Sequence, residues 1–455
     1  MPRGFSAGRR QFSSTWRFRR RGEKSLNRLL IERAKRVLMA NDLGVSTKPS
    51  PALYPHQWNW DSAFIAIGLA HYDLERAKTE IRSLLAGQWR NGMIPHIIYN
   101  PASSGYFPDP HRWQIARSSD APASILTSGI TQPPMVTLAV REIVRRENRA
   151  DFAREVFSAL LAYHRWFHRE RDPRGEGLVS IIHPWESGMD NSPRWLEILD
   201  RIKIAHRPDY QREDDTLVPS DERPTDADYD RFIFLMDLAR DLNYKQQEIF
   251  ANSPFVVQDV LLISILFCAD DALRELAALI GAPTAEMERW LHATRDAFQT
   301  RLWDDADALY YDFDHHGGHA IRENTIAALM PLYAGLPTQE QAARLVKHLL
   351  NPEEYAPDTS TKFRVPTASK SNRYFAPRGY WRGPVWVNTN WFMIRGLERY
   401  GYTDLARAIR ADTLALVERA GFHEYFDPRT GDGDGTDMFS WSAALVIDLL
   451  EDDEP

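Results

Sequence analysis

Apolar residues recur at helical spacing along almost the whole chain from about residue 24, and no stretch sustains the every-other-residue alternation of a half-buried strand. Asp151 is placed to cap one such segment, whose apolar stripe runs through Phe152, Val156, Leu160, Tyr163 and Phe167. Thr284 is placed to cap another, with Met287, Leu291, Phe298 and Leu302 on one face. A third runs from Asp404 through Leu405, Ile409 and Leu416 to Gly421, which suits the left-handed position just past a helix end. The same periodicity marks residues 25–41, 60–71, 76–90, 133–147, 245–270, 319–334, 339–350, 386–399 and 436–450. The pattern predicts an all-α protein of about a dozen medium helices. The longest apolar run, Val260 to Ala269, falls short of the roughly 18 to 20 residues that a membrane span requires, so it is expected to be a buried helix.

The loops decide how these helices are arranged. A solenoid would show a fixed repeat of roughly 20 to 50 residues, and none is found. Tryptophan, tyrosine, histidine, arginine and carboxylates instead gather in YPHQWNWD (54–61), GMIPHIIYNP (92–101), SGITQPP (128–134), HPWESGMDNSPRW (183–195), RPTDADY (223–229), PRGYWRGPVW (377–386) and GFHEYFDP (421–428). Loops of this composition are binding surface rather than connectors. The expected architecture is a helical toroid with these loops collected over one end. Residues 23–455 form a single catalytic domain in this reading, and 171–245 is a lid-like insertion, being longer than a plain connection should be.

Composition narrows the partners. The chain has 455 residues, 43% of them apolar, so it can bury a large core. A net charge of -7, mixed in sign, carries no footprint for nucleic acid or a membrane surface, and self-association is left open. Residues 1–22 hold seven arginines and no acid but lack the apolar stretch of a secretory signal, which predicts a disordered basic arm on a cytoplasmic protein. The single cysteine, Cys268, excludes an internal disulfide and reads as a core thiol. No histidine or cysteine cluster has metal-ligand spacing. Asp432, Asp434 and Asp437 in TGDGDGTD lack the full calcium-loop pattern and read as a turn.

The loop residues point to carbohydrate chemistry. Indole and phenol faces stack on the C–H faces of sugar rings while amides, arginine and aspartate bond the hydroxyls. Of the 14 tryptophans, Trp58, Trp60, Trp185, Trp195, Trp381, Trp386, Trp391 and Trp441 lie in these loops or at the helix starts beside them, although Trp391 and Trp441 have the spacing of core residues. Glycosidic bonds are cleaved between two carboxyl groups, one protonated and one ionised. Asp190, in a loop bounded by glycine and proline among aromatics, is the candidate acid, and Glu424, just past a helix end, the candidate base; each could instead be a structural carboxylate, and Glu186 and Asp61 are rivals. Three other classes remain in view: a sugar 2-epimerase drawing on His56, His96 and His183, a non-catalytic sugar-binding toroid, and a prenyl-type cyclase, for which REDDT (212–216) is a poor motif.

The segments WNWDSAF, GITQPP, WESGMDNSPRW, RPTDADY, RGYWRGPVW and EYFDP, in this order, resemble glycoside hydrolase family 63, in particular its compact bacterial branch of mannosylglycerate and glucosylglycerate hydrolases. The resemblance spans about residues 25–450, and the spacing of GMDNS, RGxWRGPxW and ExFDP is its most specific part. It implies an (α/α)6 barrel and cofactor-free hydrolysis with inversion, Asp190 acting as general acid and Glu424 as general base. It implies Tyr54, Trp58, Trp60, Asp61, His96, Gln132, Trp185 and Trp386 around the sugar. It further implies Arg223, Tyr229, Tyr106, Tyr380 and Trp381 at a glycerate aglycone, where a planar guanidinium suits a carboxylate. The implied substrate is a small 2-O-α-glycosyl-D-glycerate, with a neutral gluco-disaccharide or oligosaccharide as the alternative. The basic arm has no counterpart in the resemblance.

Overall fold

A sequence apolar on every side of a helix must bury all of it, and two helices of this chain do so almost from end to end. In the computed structural model, which describes residues 11–451 apart from 104, 105 and 213 and side chains from residue 25, the main helices alternate between two layers. They are α1 (Gln11–Ala40), α2 (Asn59–Leu69), α3 (Leu74–Ala86), α4 (Met135–Glu147), α5 (Asp151–Trp166), α6 (Val260–Ile280), α7 (Ala285–Arg301), α8 (Pro331–Ala334), α9 (Gln339–Leu350), α10 (Val387–Arg399), α11 (Thr403–Ala420) and α12 (Ser440–Glu451). The even-numbered helices close a ring: α2 packs on α4, α4 on α6, α6 on α8, α8 on α10, α10 on α12, and α12 returns to α2. Odd-numbered helices back them, α1 on α12, α3 on α2, α5 on α4 and α6, α7 on α6 and α11 on α10. The fold is an (α/α)6 barrel.

Outer helices carry the one-sided stripes that their position demands. α5 buries Phe152, Val156, Leu160 and Tyr163. α9 buries Ala342, Leu345, Val346 and Leu349 behind a reciprocal cap in which Thr338 and Gln341 exchange side-chain and backbone hydrogen bonds. No helix among the described residues is long and apolar enough to cross a membrane.

Several local expectations differ from the structure. The segment 245–270 is not one helix: Gln246–Asn252 ends before Pro254, a short strand follows, and α6 starts afresh under Asp259, whose side chain accepts from the Leu262 N–H at 2.9 Å. The segment 319–334 begins as a strand, His319–Ile321, and turns helical only at Ile326. Asp151 is the first helical residue of α5 and Ala150 its cap; Thr284 caps α7 by position but turns its hydroxyl to Glu288. Gly421 takes a positive φ of 94° with extended ψ rather than the left-handed helical pair. Of the arm at 1–22, residues 1–10 lie outside the described residues, and from Gln11 the backbone is already the start of α1 rather than irregular. The 171–245 stretch contains a sixteen-residue helix, Asp226–Asp241, with its own reciprocal cap between Thr225 and Asp228.

Four short strands, Ser180–Ile181, Val257–Gln258, Asp312–Asp314 and His319–Ile321, form one antiparallel sheet; strands of two or three residues leave no alternating pattern in a sequence. This sheet ties the chain entering HPWESGMDN to the chain entering α6.

Candidate active site

Residues at or before the starts of α2, α4, α10 and α12 line one pocket, so the loops there converge at one end of the barrel. They enclose an open-mouthed pocket whose lining mixes aromatic side chains with a few polar and charged groups, as a small-molecule site does. Tyr54, Trp58, Trp60, Asp61, His96, Tyr106, Gln132, Trp185, Asp190, Arg223, Tyr229, Tyr380, Trp381 and Glu424, all expected at the site, line it.

Asp190 is presented by two opposed turns. Pro184–Ser187 is a single 3-10 turn ended by Gly188 at φ 72°, and Pro193 starts the next turn. A side chain at 188 would be strained by that φ and would also put its Cβ 2.5 Å from the Trp60 indole. Asn191 fixes the far side, its amide oxygen accepting from the Trp381 N–H at 2.9 Å and its NH2 donating to the Gly379 carbonyl at 3.2 Å. Asp190 is half-buried, and no cation among the described residues is ion-paired with it. Burial and the nearby Glu424 charge push its carboxyl up to about 7 against the opposing pull of Arg223.

Glu424 faces the same pocket from the loop after α11, with 1% of its surface exposed. The Tyr54 hydroxyl donates to its Oε1 at 2.8 Å, the Thr436 N–H donates to its Oε2 at 3.3 Å, and Arg223 Nη1 stands 3.7 Å from Oε1. Burial raises its pKa, and these three donors pull it back toward the carboxylate. No hydrogen bond joins the Asp190 and Glu424 carboxyls. Asp61 is also buried, and burial lifts its carboxyl well above the usual range.

Glu186 is not a rival. Arg171 grips it with two bonds of 2.5 and 2.9 Å, and the Ile182 and Thr131 N–H groups complete its shell, away from the pocket. Trp386 does not face the pocket either; it stacks at 3.7 Å on Trp381 and donates its indole N–H to the Tyr380 carbonyl, holding the lining pair from behind. Trp195 donates to the Met189 carbonyl and is likewise a support for the loop that carries Asp190. Of the three histidines an epimerase would recruit, His96 alone lines the pocket; His56 and His183 bond the backbone at Asn100 and Phe232. Asp432 and Asp434 are taken by Arg419 and Arg378.

The lining also contains residues not anticipated. Trp441, expected in the core, forms part of it with Phe439. Asp214, from the REDDT segment, accepts from Arg223 Nε at 3.2 Å and from both sides of the Arg212 fork. Arg223 is therefore no surface residue: it is buried, lies 4.2 Å over the Tyr380 ring, donates to the Tyr54 hydroxyl at 3.0 Å, and leaves Nη1 without a hydrogen bond.

Residues 54–442 match the family model of the mannosylglycerate hydrolase MGH1-like glycoside hydrolase domain. The chain belongs to glycoside hydrolase family 63. Among the relatives of this family 63 chain, a mannosylglycerate hydrolase of Rubrobacter radiotolerans is 42% identical over 92% of the chain and 96% of the relative. A glucosylglycerate hydrolase of Mycolicibacterium hassiacum is 37% identical over 92% and 97%. The crystal structure of the family 63 mannosylglycerate hydrolase from Thermus thermophilus, in complex with Tris and D-glycerate, superposes with a TM-score of 0.86 at 42% identity, covering 92% of this chain and 99% of that one. Like its family 63 relatives, this chain is a glycoside hydrolase.

Proposed function

We propose that the protein hydrolyses 2-O-α-glycosyl-D-glycerates with inversion, releasing glucose or mannose, Asp190 serving as general acid and Glu424 as general base. The observation that carries this reading is the environment of the two carboxyls. Asp190 is held up to about 7 and so keeps a proton to give the glycosidic oxygen. Glu424, held by Tyr54, Thr436 and Arg223, is poised to take a proton from a water attacking the anomeric carbon. An inverting pair stands about 6.5 to 9.5 Å apart to leave room for that water; here the two carboxyls line one pocket from different loops.

Asp61, Gln132 and His96 would hold the sugar hydroxyls. His96 bonds Ser128 at 2.9 Å and stacks on Trp185, which leaves its other ring nitrogen for a ligand; Gln132 spends its oxygen on the Trp60 N–H and keeps its NH2. Arg223, with an unbonded Nη1 beside the acid and base, would take the glycerate carboxylate as a charge-assisted partner.

One feature favours a neutral aglycone instead: Asp214 already occupies Arg223 Nε and adds a negative charge to the pocket. Ranking kcat/KM over glucosylglycerate, mannosylglycerate, glucosylglycerol, trehalose and kojibiose separates the readings. The glycerates should lead, and equal or better turnover of glucosylglycerol than of either glycerate would replace the acidic aglycone by a neutral one.

A further inference from the structure

Immediately before Arg223 lies a carboxylate that touches neither the pocket nor solvent. Glu222 is 2% exposed, yet two other loops send three donors to it. The Gly435 N–H donates to Oε2 at 3.1 Å, the Tyr425 hydroxyl shares its proton between Oε2 at 3.4 Å and the Glu222 backbone carbonyl at 3.3 Å, and Arg378 forms an ion pair with Oε1. Each donor adjoins a functional group. Thr436, next to Gly435, gives its N–H to Glu424, and Tyr425 is the residue after Glu424. Arg378 precedes Tyr380, whose ring lies under Arg223 and whose hydroxyl is 3.5 Å from that of Tyr54.

Gly435 is fixed to this duty by its backbone. Its φ is 67°, and a Cβ there would stand 2.6 Å from Glu424 Oε2, so the loop passes the base at a distance only glycine allows. A buried carboxylate is costly unless bonded, and one that spends its bonds on the hairpin behind Glu424 and on the Arg378 loop fixes the relative positions of both to its own segment.

We propose that Glu222 is a positioning residue that locks the loop behind the general base to the loop bearing the aglycone-facing arginine, so that Glu424 and Arg223 are set together. Because Glu222 is adjacent in sequence to Arg223, a ligand pulling on the guanidinium pulls on the support of the base. Recognition at the aglycone is thereby coupled to activation of water, and the coupling is felt in kcat rather than in sugar affinity. The inference rests on Glu424 as base, and its test keeps the two apart.

That test is Glu222→Gln in the full chain, assayed on whichever α-glycoside the unaltered protein turns over fastest. Failure of the unaltered protein on every α-glycoside would sink the function above. Failure of the variant to change would sink this inference alone. The expected result is a kcat lowered about tenfold or more, as for loss of a bond to a charged group, with KM within about threefold. A second readout is the acid limb of the pH profile. Glu424 is faced by Arg223, Tyr54, Tyr380 and Tyr425 and by the carboxyls of Asp61, Asp190 and Glu222. The Glu222 charge raises the pKa of Glu424, so its neutralisation should move that limb to lower pH even as kcat falls. Tyr425→Phe removes one donor and leaves the ring, and should give a smaller fall in kcat of the same kind; it also serves if Glu222→Gln does not fold. An unchanged kcat, or a loss that follows only the folded fraction with the acid limb unmoved, overturns the proposal.

Discussion

The Tyr54 hydroxyl donates to Glu424 at 2.8 Å while accepting from Arg223 Nη2 at 3.0 Å, so one phenol links the group that would activate water to the group that would hold the aglycone. The hydrogen bond favours the ionised form of Glu424. Tyr54→Phe keeps the ring and removes the donor. It should lower kcat about tenfold to a hundredfold and move the acid limb of the kcat/KM profile to higher pH, opposite in sign to the shift expected for Glu222→Gln. Steady-state kinetics across pH check both effects.

The pH profile of the unaltered enzyme follows from the two carboxyls. As the proposed general acid Asp190 would act while protonated, so activity should fall as pH rises through about 7. As the proposed general base Glu424 would act while ionised, so activity should fall as pH drops through its pKa, which burial raises above that of a free glutamate. The expected kcat/KM curve is a bell with its alkaline limb near neutrality. Asp190→Asn should cut hydrolysis of the glycoside by about a hundredfold to ten-thousandfold but spare an α-glycosyl fluoride, whose leaving group requires no proton.

In the proposed reading Arg223 selects the aglycone. Arg223→Ala should reduce the advantage of glycerate over glycerol glycosides by about tenfold to a hundredfold, the worth of the charge-assisted bonds removed. Asp214→Asn should shift the same ratio the other way, because it removes the carboxylate that competes for the guanidinium. Paired kcat/KM measurements on the two substrates report each ratio.

Gly188 holds the Asp190 loop against Trp60. Gly188→Ala combines a left-handed φ with a Cβ overlap, and should cost on the order of 2 kcal/mol in stability and lower kcat by displacing Asp190. Thermal unfolding and a single-substrate assay check it.

The helices of the barrel were readable because each presents many apolar positions at one spacing, as α5 and α9 do. The break at Ser253–Pro254 was hidden by apolar runs on both sides, since Phe255 to Val257 reads equally well as helix or strand. In the site, Asp190, Glu424 and the aromatics were legible because polar and indole side chains cluster in loops that cannot be regular structure. Asp214 was not, because its partners, Arg212 aside, lie elsewhere in sequence and only folding turns a charge-rich segment toward the pocket. Trp386 and Trp441 show the limit of composition. Both neighbour the site, and which indole faces the ligand and which backs its neighbour depends on stacking that spacing does not encode.

The most direct measurement follows the anomeric configuration of the sugar first released, by proton NMR early in the reaction and before mutarotation. A general base acting through water on the face opposite the departing aglycone delivers β-glucose or β-mannose from the α-glycoside, and Glu424→Gln abolishes that product. Initial release of the α-anomer, or β-release that persists in Glu424→Gln, would contradict the assignment of Asp190 and Glu424 as an acid and base separated by a water.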